Sequence, residues 1–398
     1  MEYRFSEKVK KLQPSAIREI LKFTADPSVI SFAAGNPAPD AFPVEELEKI
    51  SAEVFAENPI LALQYSITEG YTPLRDVIKE QMGSKNIYNS EIDDIIITSG
   101  AQQANELSAK VLCDEGDTII CEAPTFIGSL NSFKSYNVNL VGVELENDGI
   151  NIEKLEKALI ENPTTKLIYL IPNFQNPTGL TMSYEKRVAV YKLAQKYDVM
   201  ILEDNPYGDI RFDGEDIVSI KSMDTDGRVI YSGTFSKVLS PGIRVGYVCA
   251  PKPVISKIVV CKQVADVHTN IWAQVIAYKY LLNCDLESHL VKIRKIYRDK
   301  CNLMLDCIKK YFSSKIQYTV PQGGLFIWCT LPEDCDMMTF CKRAVEEYKV
   351  AVVPGNAFTI NDDDKTSSFR INFSTPTDEQ IVEGCKLIGK LSKEMFGE

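Results

Sequence analysis

The sequence predicts an α/β protein built on a mostly parallel sheet with flanking helices, followed by a smaller α+β domain. Three observations lead there. Short runs rich in Ile and Val recur along much of the chain, amphipathic stretches separate most of them, and the pattern changes from about Asn283. Strands that alternate with helices are the pattern of βαβ units and a parallel sheet.

Taken in order, the runs are DDIIITSG (Asp93 to Gly100), DTIICEAPTF (Asp117 to Phe126), KLIYLIPNFQNPTG (Lys166 to Gly179), VMILEDNPY (Val199 to Tyr207), VIYSGTFSK (Val229 to Lys237) and IRVGYVCA (Ile243 to Ala250). Each ends in turn residues or in side chains that carry chemistry. Helical periodicity marks Ala101 to Cys113 and Tyr184 to Tyr197. Beyond Asn283 a long helical segment, Leu286 to Tyr311, leads into the strand-like pieces IQYTV, GGLFIWCTL, VAVVPG and SFRINFS. An amphipathic helix from Thr377 to Met395 closes the chain, and NDDDK (Asn361 to Lys365) reads as a solvated loop. The N-terminal arm is expected to join the smaller domain.

Composition narrows the function. With 398 residues, 45% of them hydrophobic, the chain can bury a large core. Its 44 basic and 55 acidic residues give a formal charge of -11, and no basic run interleaves with aromatics, so neither nucleic acid nor an anionic membrane is expected as the main partner. No apolar segment approaches transmembrane length, and the N-terminus MEYRFSEKVKKL lacks an apolar signal core, which makes a cytoplasmic location the expectation. The 11 cysteines are scattered without a C-x-x-C pair and the two histidines, His268 and His289, lie apart from them, so reduced thiols and no metal site are expected.

In an open α/β sheet, ligands bind beyond the carboxyl ends of the strands, where each special segment sits. Ser99 to Gln102 open a helix, whose free amides and dipole favour a phosphate, although S-G there is also an ordinary N-cap. Lys237 follows a strand; alone it also reads as a solvated charge, while a lysine with a depressed pKa can form a Schiff base. Arg244, close behind it, suits a bidentate phosphate contact. Asp204 either caps the next turn or meets a cation such as a protonated pyridine nitrogen. Asn176 and Tyr207 offer hydrogen bonds in the same layer, and Phe126 a flat face for stacking.

N-P-T-G at Asn176 to Gly179, E-D-N-P-Y at Glu203 to Tyr207, and S-x-T-F-S-K followed by G-I-R-V-G-Y, in that order, resemble the fold-type I pyridoxal-phosphate aminotransferases of class I/II. The resemblance covers nearly the whole chain. It implies an N-terminal arm over the active site (residues 1–43), a large cofactor-binding domain (44–283) and a small C-terminal domain (284–398). It implies pyridoxal 5′-phosphate as cofactor, Lys237 as the Schiff-base lysine that also moves the substrate's proton, and Asp204 as partner of the pyridine nitrogen. Asn176 and Tyr207 then meet the ring hydroxyl, and Phe126, often a tyrosine in relatives, stacks on the ring. Thr234, Ser236, Arg244 and the amides of Ala101 and Gln102 hold the phosphate. Tyr65, in LQYS, matches the tyrosine that reaches the neighbouring subunit's phosphate, which implies a homodimer. Arg370, in SFRINFS, matches the arginine that grips the substrate α-carboxylate.

The segment Pro14 to Pro43 is similar to the arm of the 2-aminoadipate and kynurenine aminotransferase subgroup. That likeness implies that Arg18 meets a distal carboxylate, against its alternative as an exposed helix arginine. Gly35 lets the backbone approach the substrate, and the apolar Ile17 and Leu21 could admit leucine-like or aromatic side chains. The expected reaction moves the amino group of an L-amino acid (2-aminoadipate, glutamate, leucine-like or aromatic) to a 2-oxo acid such as 2-oxoglutarate, by a ping-pong mechanism. Two alternatives stand beside it: a C–S or β-lyase on the same fold, and a non-catalytic effector-sensing domain of the kind found in transcription regulators, which carry a DNA-binding module upstream.

Overall fold

The computed structural model describes residues 3–10, 26–361 and 364–398. Its strands, in chain order, begin with Ile30–Ser31 (β1), Asp93–Thr98 (β2), Thr118–Ala123 (β3), Asn139–Glu146 (β4) and Gly149–Ile150 (β5). Thr165–Leu170 (β6), Met200–Asp204 (β7), Val229–Thr234 (β8) and Gly246–Pro251 (β9) follow. Strands β2 to β9 make one eight-stranded sheet in the order β2-β9-β8-β7-β6-β3-β4-β5. From β8 to β4 the neighbours run parallel; β9 lies antiparallel to both β2 and β8.

The Ile/Val runs make this sheet because both its faces are covered. In β6, Leu167 and Tyr169 enter one core and Ile168 and Leu170 the other, the two-residue alternation of a strand apolar on both sides. Helices seal the faces where their caps allow them to start. Tyr184–Tyr197 begins at Ser183, whose side chain accepts from Lys186 N, and Leu286–Tyr311 begins at Asp285, which accepts from Ser288 N. Both match the expected ranges.

The C-terminal region carries Gln317–Tyr318 (β10), Phe326–Thr330 (β11), Val350–Ala351 (β12), Val353–Pro354 (β13) and Ser368–Asn372 (β14). The antiparallel sheet β10-β11-β14-β13 shares one hydrophobic core with the Leu286–Tyr311 helix and a final helix, Asp378–Phe396, which starts at a Thr377/Gln380 capping box. β1 pairs in parallel with β12, tying the chain after residue 26 to this region. Among the described residues no helix is long and apolar enough to cross a membrane.

Two features differ from the expectation. The IRVGYVCA run enters the sheet only at Gly246, because Arg244 adopts a left-handed backbone (φ 54°) that turns the chain out of the ladder. The outer strand β4 has no Ile-rich run, since its residues NLVGVELE are mostly half-buried or exposed.

Candidate active site

The carboxyl ends of the parallel strands and the C-terminal sheet enclose a cavity of about 330 Å³. Among the described residues it gathers every cofactor and substrate side chain expected from the sequence except Tyr65. Arg18 lies outside the described residues.

Asp204 is the last residue of β7 and is buried. Its Oδ2 accepts from Asn105 Nδ2 at 2.7 Å and from the Tyr169 hydroxyl at 2.8 Å. Ser129 joins these donors, accepting from Asn105 Nδ2 at 3.1 Å and donating to Tyr169 at 2.9 Å. Oδ1 is buried without a hydrogen-bond partner. Burial pushes the carboxyl up to about 6, while Tyr169, Asn105 and the neighbouring Ser232 hydroxyl on β8 oppose that rise.

Lys237 follows β8 by one short turn. Its Nζ donates to Gly35 O at 2.8 Å and stands 6.0 Å from the Tyr207 ring centroid. Burial, then the positive charges of Arg370 and Arg244, bring its pKa down to about 8. A half-buried amine that loses its proton this readily is a nucleophile near neutral pH.

At one end of the cavity the helix Ala101–Leu112 presents its first amides. Gly100 is its N-cap at φ 79°, and a Cβ there would lie 2.4 Å from Arg244 Nη2, so only glycine lets the guanidinium close in. Arg244 donates to Ser99 O at 3.0 Å and Pro241 O at 3.2 Å. Thr234 Oγ1 donates to Ser236 Oγ at 2.9 Å. Amides at a helix start, two hydroxyls and a guanidinium form an anion cup.

At the other end Arg370 is 2% exposed. Its Nη1 donates to Asn176 Oδ1 and its Nη2 to Ala33 O, both at 2.8 Å, while Nε is buried with no partner. The guanidinium lies 4.0 Å from the Phe326 ring centroid and 4.9 Å from that of Phe358, which hold it by stacking. Burial lowers its pKa to about 10, which leaves it charged at neutral pH. Asn176 Nδ2 also donates to the Tyr207 hydroxyl at 3.5 Å. Beneath that turn Gln175 accepts from Thr178 N at 3.0 Å and donates to Pro124 O at 2.8 Å, so the N-P-T-G segment is fixed from below.

The orphaned Oδ1 of Asp204 suits the N–H of a protonated ring nitrogen. Phe126 and Gln102 line the same cavity as Asp204 and the anion cup. Together the groups fit a planar ring that carries a phosphate and a carbonyl within reach of Lys237. Tyr65 is 81% exposed and lies outside this cavity, its ring edge-on to His268 at 5.9 Å.

Asn105, Tyr169, Phe326 and Phe358 belong to the site but carry no local signal in the sequence. A hint exists for Asn105 alone: it stands one helical turn after Ala101, on the helix's buried face with Ala104, Leu107 and Ser108.

A family model described as aminotransferase class I and II matches residues 27–388. An aromatic-amino-acid aminotransferase of Thermococcus litoralis is 41% identical over 394 residues, covering 98% of this chain and 94% of that protein. A 2-aminoadipate transaminase of Thermus thermophilus is 35% identical over 98% of this chain and 97% of its own length. Among solved structures, a kynurenine aminotransferase of Pyrococcus horikoshii in complex with PMP is similar with a TM-score of 0.94 at 37% identity, covering 98% of this chain and 97% of that one.

Proposed function

Because this chain belongs to the class I and II aminotransferases, we propose that it moves the amino group of an aromatic or 2-aminoadipate-type L-amino acid to 2-oxoglutarate in a ping-pong reaction. It is a transaminase, and its cofactor is pyridoxal 5′-phosphate. One observation carries the substrate-level proposal: Lys237, the open Oδ1 of Asp204 and the stacked guanidinium of Arg370 share a single cavity.

On this reading Arg244, Thr234, Ser236 and the amides of Ala101 and Gln102 hold the phosphate, Asp204 the ring nitrogen, Phe126 the ring face, and Asn176 and Tyr207 the ring hydroxyl. When bound, the cofactor supplies a sink for the electron pair released at the amino acid's Cα. The chain supplies the rest. Arg370 takes the α-carboxylate as a planar fork, fixing the direction of the Cα–H bond. Lys237 Nζ is the base that takes the Cα proton and later returns a proton on the cofactor side, work worth about 10²–10⁴ in rate for a positioned group. Phe326 and Phe358 keep water from the guanidinium, so its pairing with a carboxylate is made in an apolar setting.

Ile171, Pro206 and Phe326 give the cavity apolar walls, which supports an aromatic or leucine-like side chain. Gly35, whose carbonyl already meets Lys237, brings the backbone to the substrate, and Arg18 remains the proposed partner of a distal carboxylate. We further propose a cytoplasmic homodimer. Tyr65 and Trp272 are exposed on one patch beside Phe55, which supports a second copy there, with Tyr65 reaching the partner's phosphate.

Initial rates test the proposal. With kynurenine, phenylalanine or 2-aminoadipate varied at several fixed 2-oxoglutarate concentrations, double-reciprocal plots should be parallel. Intersecting lines, or no turnover with any of the three, would contradict it.

Tyr169→Phe should cost about tenfold in kcat, since a hydrogen bond to a charged acceptor is lost. Its sign with pH also follows. Tyr169 helps hold the Asp204 carboxyl down, so removing it lets that pKa climb above about 6. Cofactor affinity should then fail at a higher pH on acidification than in the wild type; an unmoved profile would strip Tyr169 of this role.

A further inference from the structure

Three side chains outside the cavity converge on the turn that forms its anion cup. Lys262 is fully buried, yet its ammonium ends among polar atoms: Nζ donates to Gln103 Oε1 at 2.7 Å and to Asp266 Oδ1 and Oδ2 at 2.8 and 2.9 Å. Gln103 Oε1 also accepts from Ser99 N at 2.8 Å, and its Nε2 donates to Asp266 Oδ2 at 2.8 Å. Asp266 Oδ2 takes a further bond from Ser99 Oγ at 3.0 Å. Ser99 is thus held at its amide and at its hydroxyl by one cluster built on the buried Lys262, with Gln103 half-buried and Asp266 at the surface, while its carbonyl accepts from Arg244 Nη2 at 3.0 Å. Gly100 and the helix amides follow directly.

The segment carrying Asp266 is itself fixed under strain. Val267, a β-branched residue, sits at φ 66°, a conformation that such side chains adopt only when the surroundings over-determine it. His268 N donates to Asp266 O at 2.7 Å, and Gln274 clasps the next residue, donating to Thr269 O at 2.7 Å while accepting from Tyr71 N at 2.8 Å. Only the lysine of this pair is desolvated, so its ammonium needs acceptors where Gln103 and Asp266 place them, and the result is a fixed geometry more than added stability.

We infer that Asp266, with Lys262 and Gln103, is a positioning residue that fixes the Ser99–Gly100 turn and so sets the spacing between the helix amides and Arg244. The inference rests on the proposed place of the cofactor phosphate. None of the three residues lines the cavity, so they act on the phosphate only through Ser99, Gly100 and Arg244.

The full chain, freed of cofactor, is titrated by absorbance with pyridoxal 5′-phosphate and with pyridoxal, which lacks the phosphate. In Asp266→Ala the dissociation constant for pyridoxal 5′-phosphate should rise at least about tenfold, as expected for lost charge-assisted hydrogen bonds, while that for pyridoxal stays the same. Ser99→Ala cuts the same clamp at its other end with less risk to folding, and should give a smaller loss confined again to the phosphorylated ligand. Equal losses for both ligands would mark a merely structural role and overturn the inference, as would unchanged affinity in both variants. A wild-type protein that does not prefer the phosphorylated ligand would instead overturn the underlying placement of the phosphate.

Discussion

Lys237→Ala should fold, retain the cofactor weakly and lose transamination by about 10⁴-fold or more, the upper range for a positioned acid–base group. Lys237 is the one lysine among the described residues that line the cavity, so no neighbouring amine replaces it. Borohydride should fix the cofactor to the wild type at Lys237 and leave the variant unlabelled. The pH dependence carries the same signature. Burial and two arginines bring the amine from 10.5 to about 8, so its neutral, nucleophilic form is fully present above that value and lost as pH falls through it. Covalent capture of the cofactor by the apoprotein should therefore quicken up to about pH 8 and then level off. A rate that keeps climbing toward pH 10.5, or a variant within about tenfold of wild-type activity, would remove the assignment.

Arg370→Ala should lower kcat/KM for the amino acid by about 10²–10³, the loss expected when one partner of a buried, hydrogen-bonded charge pair is truncated. The loss should fall mainly on KM, with cofactor affinity retained. Arg370→Lys should recover little, because the ammonium offers no planar fork to a carboxylate and forfeits the stacking between Phe326 and Phe358. An unchanged KM in Arg370→Ala would mean that the substrate carboxylate binds elsewhere.

Lys237 and Asp204, taken singly, read equally as a solvated charge and a turn cap, and Arg370 is singled out only by its place in SFRINFS; the ordered motifs around them, not the single residues, point to a common site. The central strands are legible on their own. A sheet covered on both faces needs near-continuous apolar runs, and β2, β6 and β7 have them in III, LIYL and MIL. Strand β4 is not, because an outer strand mixes polar and apolar residues. Helix limits are sharp where a cap names them, as at Ser183 and Asp285.

The supports of the site are hidden for a different reason. Asn105 lies 99 residues from Asp204 and Tyr169 lies 35 away, so nothing local announces their contact. Arg244 is the reverse case. Its role is suggested by the motif, but its left-handed backbone is not, and its guanidinium reaches Ser99 O only because Gly100, just past the adjacent strand β2, has no side chain. The clamp of Lys262, Gln103 and Asp266 reads locally as an ordinary charged helix end, and only the fold brings it to Ser99.

The most direct test is a single half-reaction. Holoenzyme is mixed with phenylalanine, kynurenine or 2-aminoadipate in the absence of any oxo acid, and product and cofactor are assayed together. The account predicts one equivalent of the matching 2-oxo acid per site, the cofactor left as pyridoxamine phosphate, and its recovery as pyridoxal phosphate on adding 2-oxoglutarate. An amino-acid donor such as cysteine yielding pyruvate over many turnovers, with the cofactor unchanged and no conversion by the other three, would contradict it and identify a lyase.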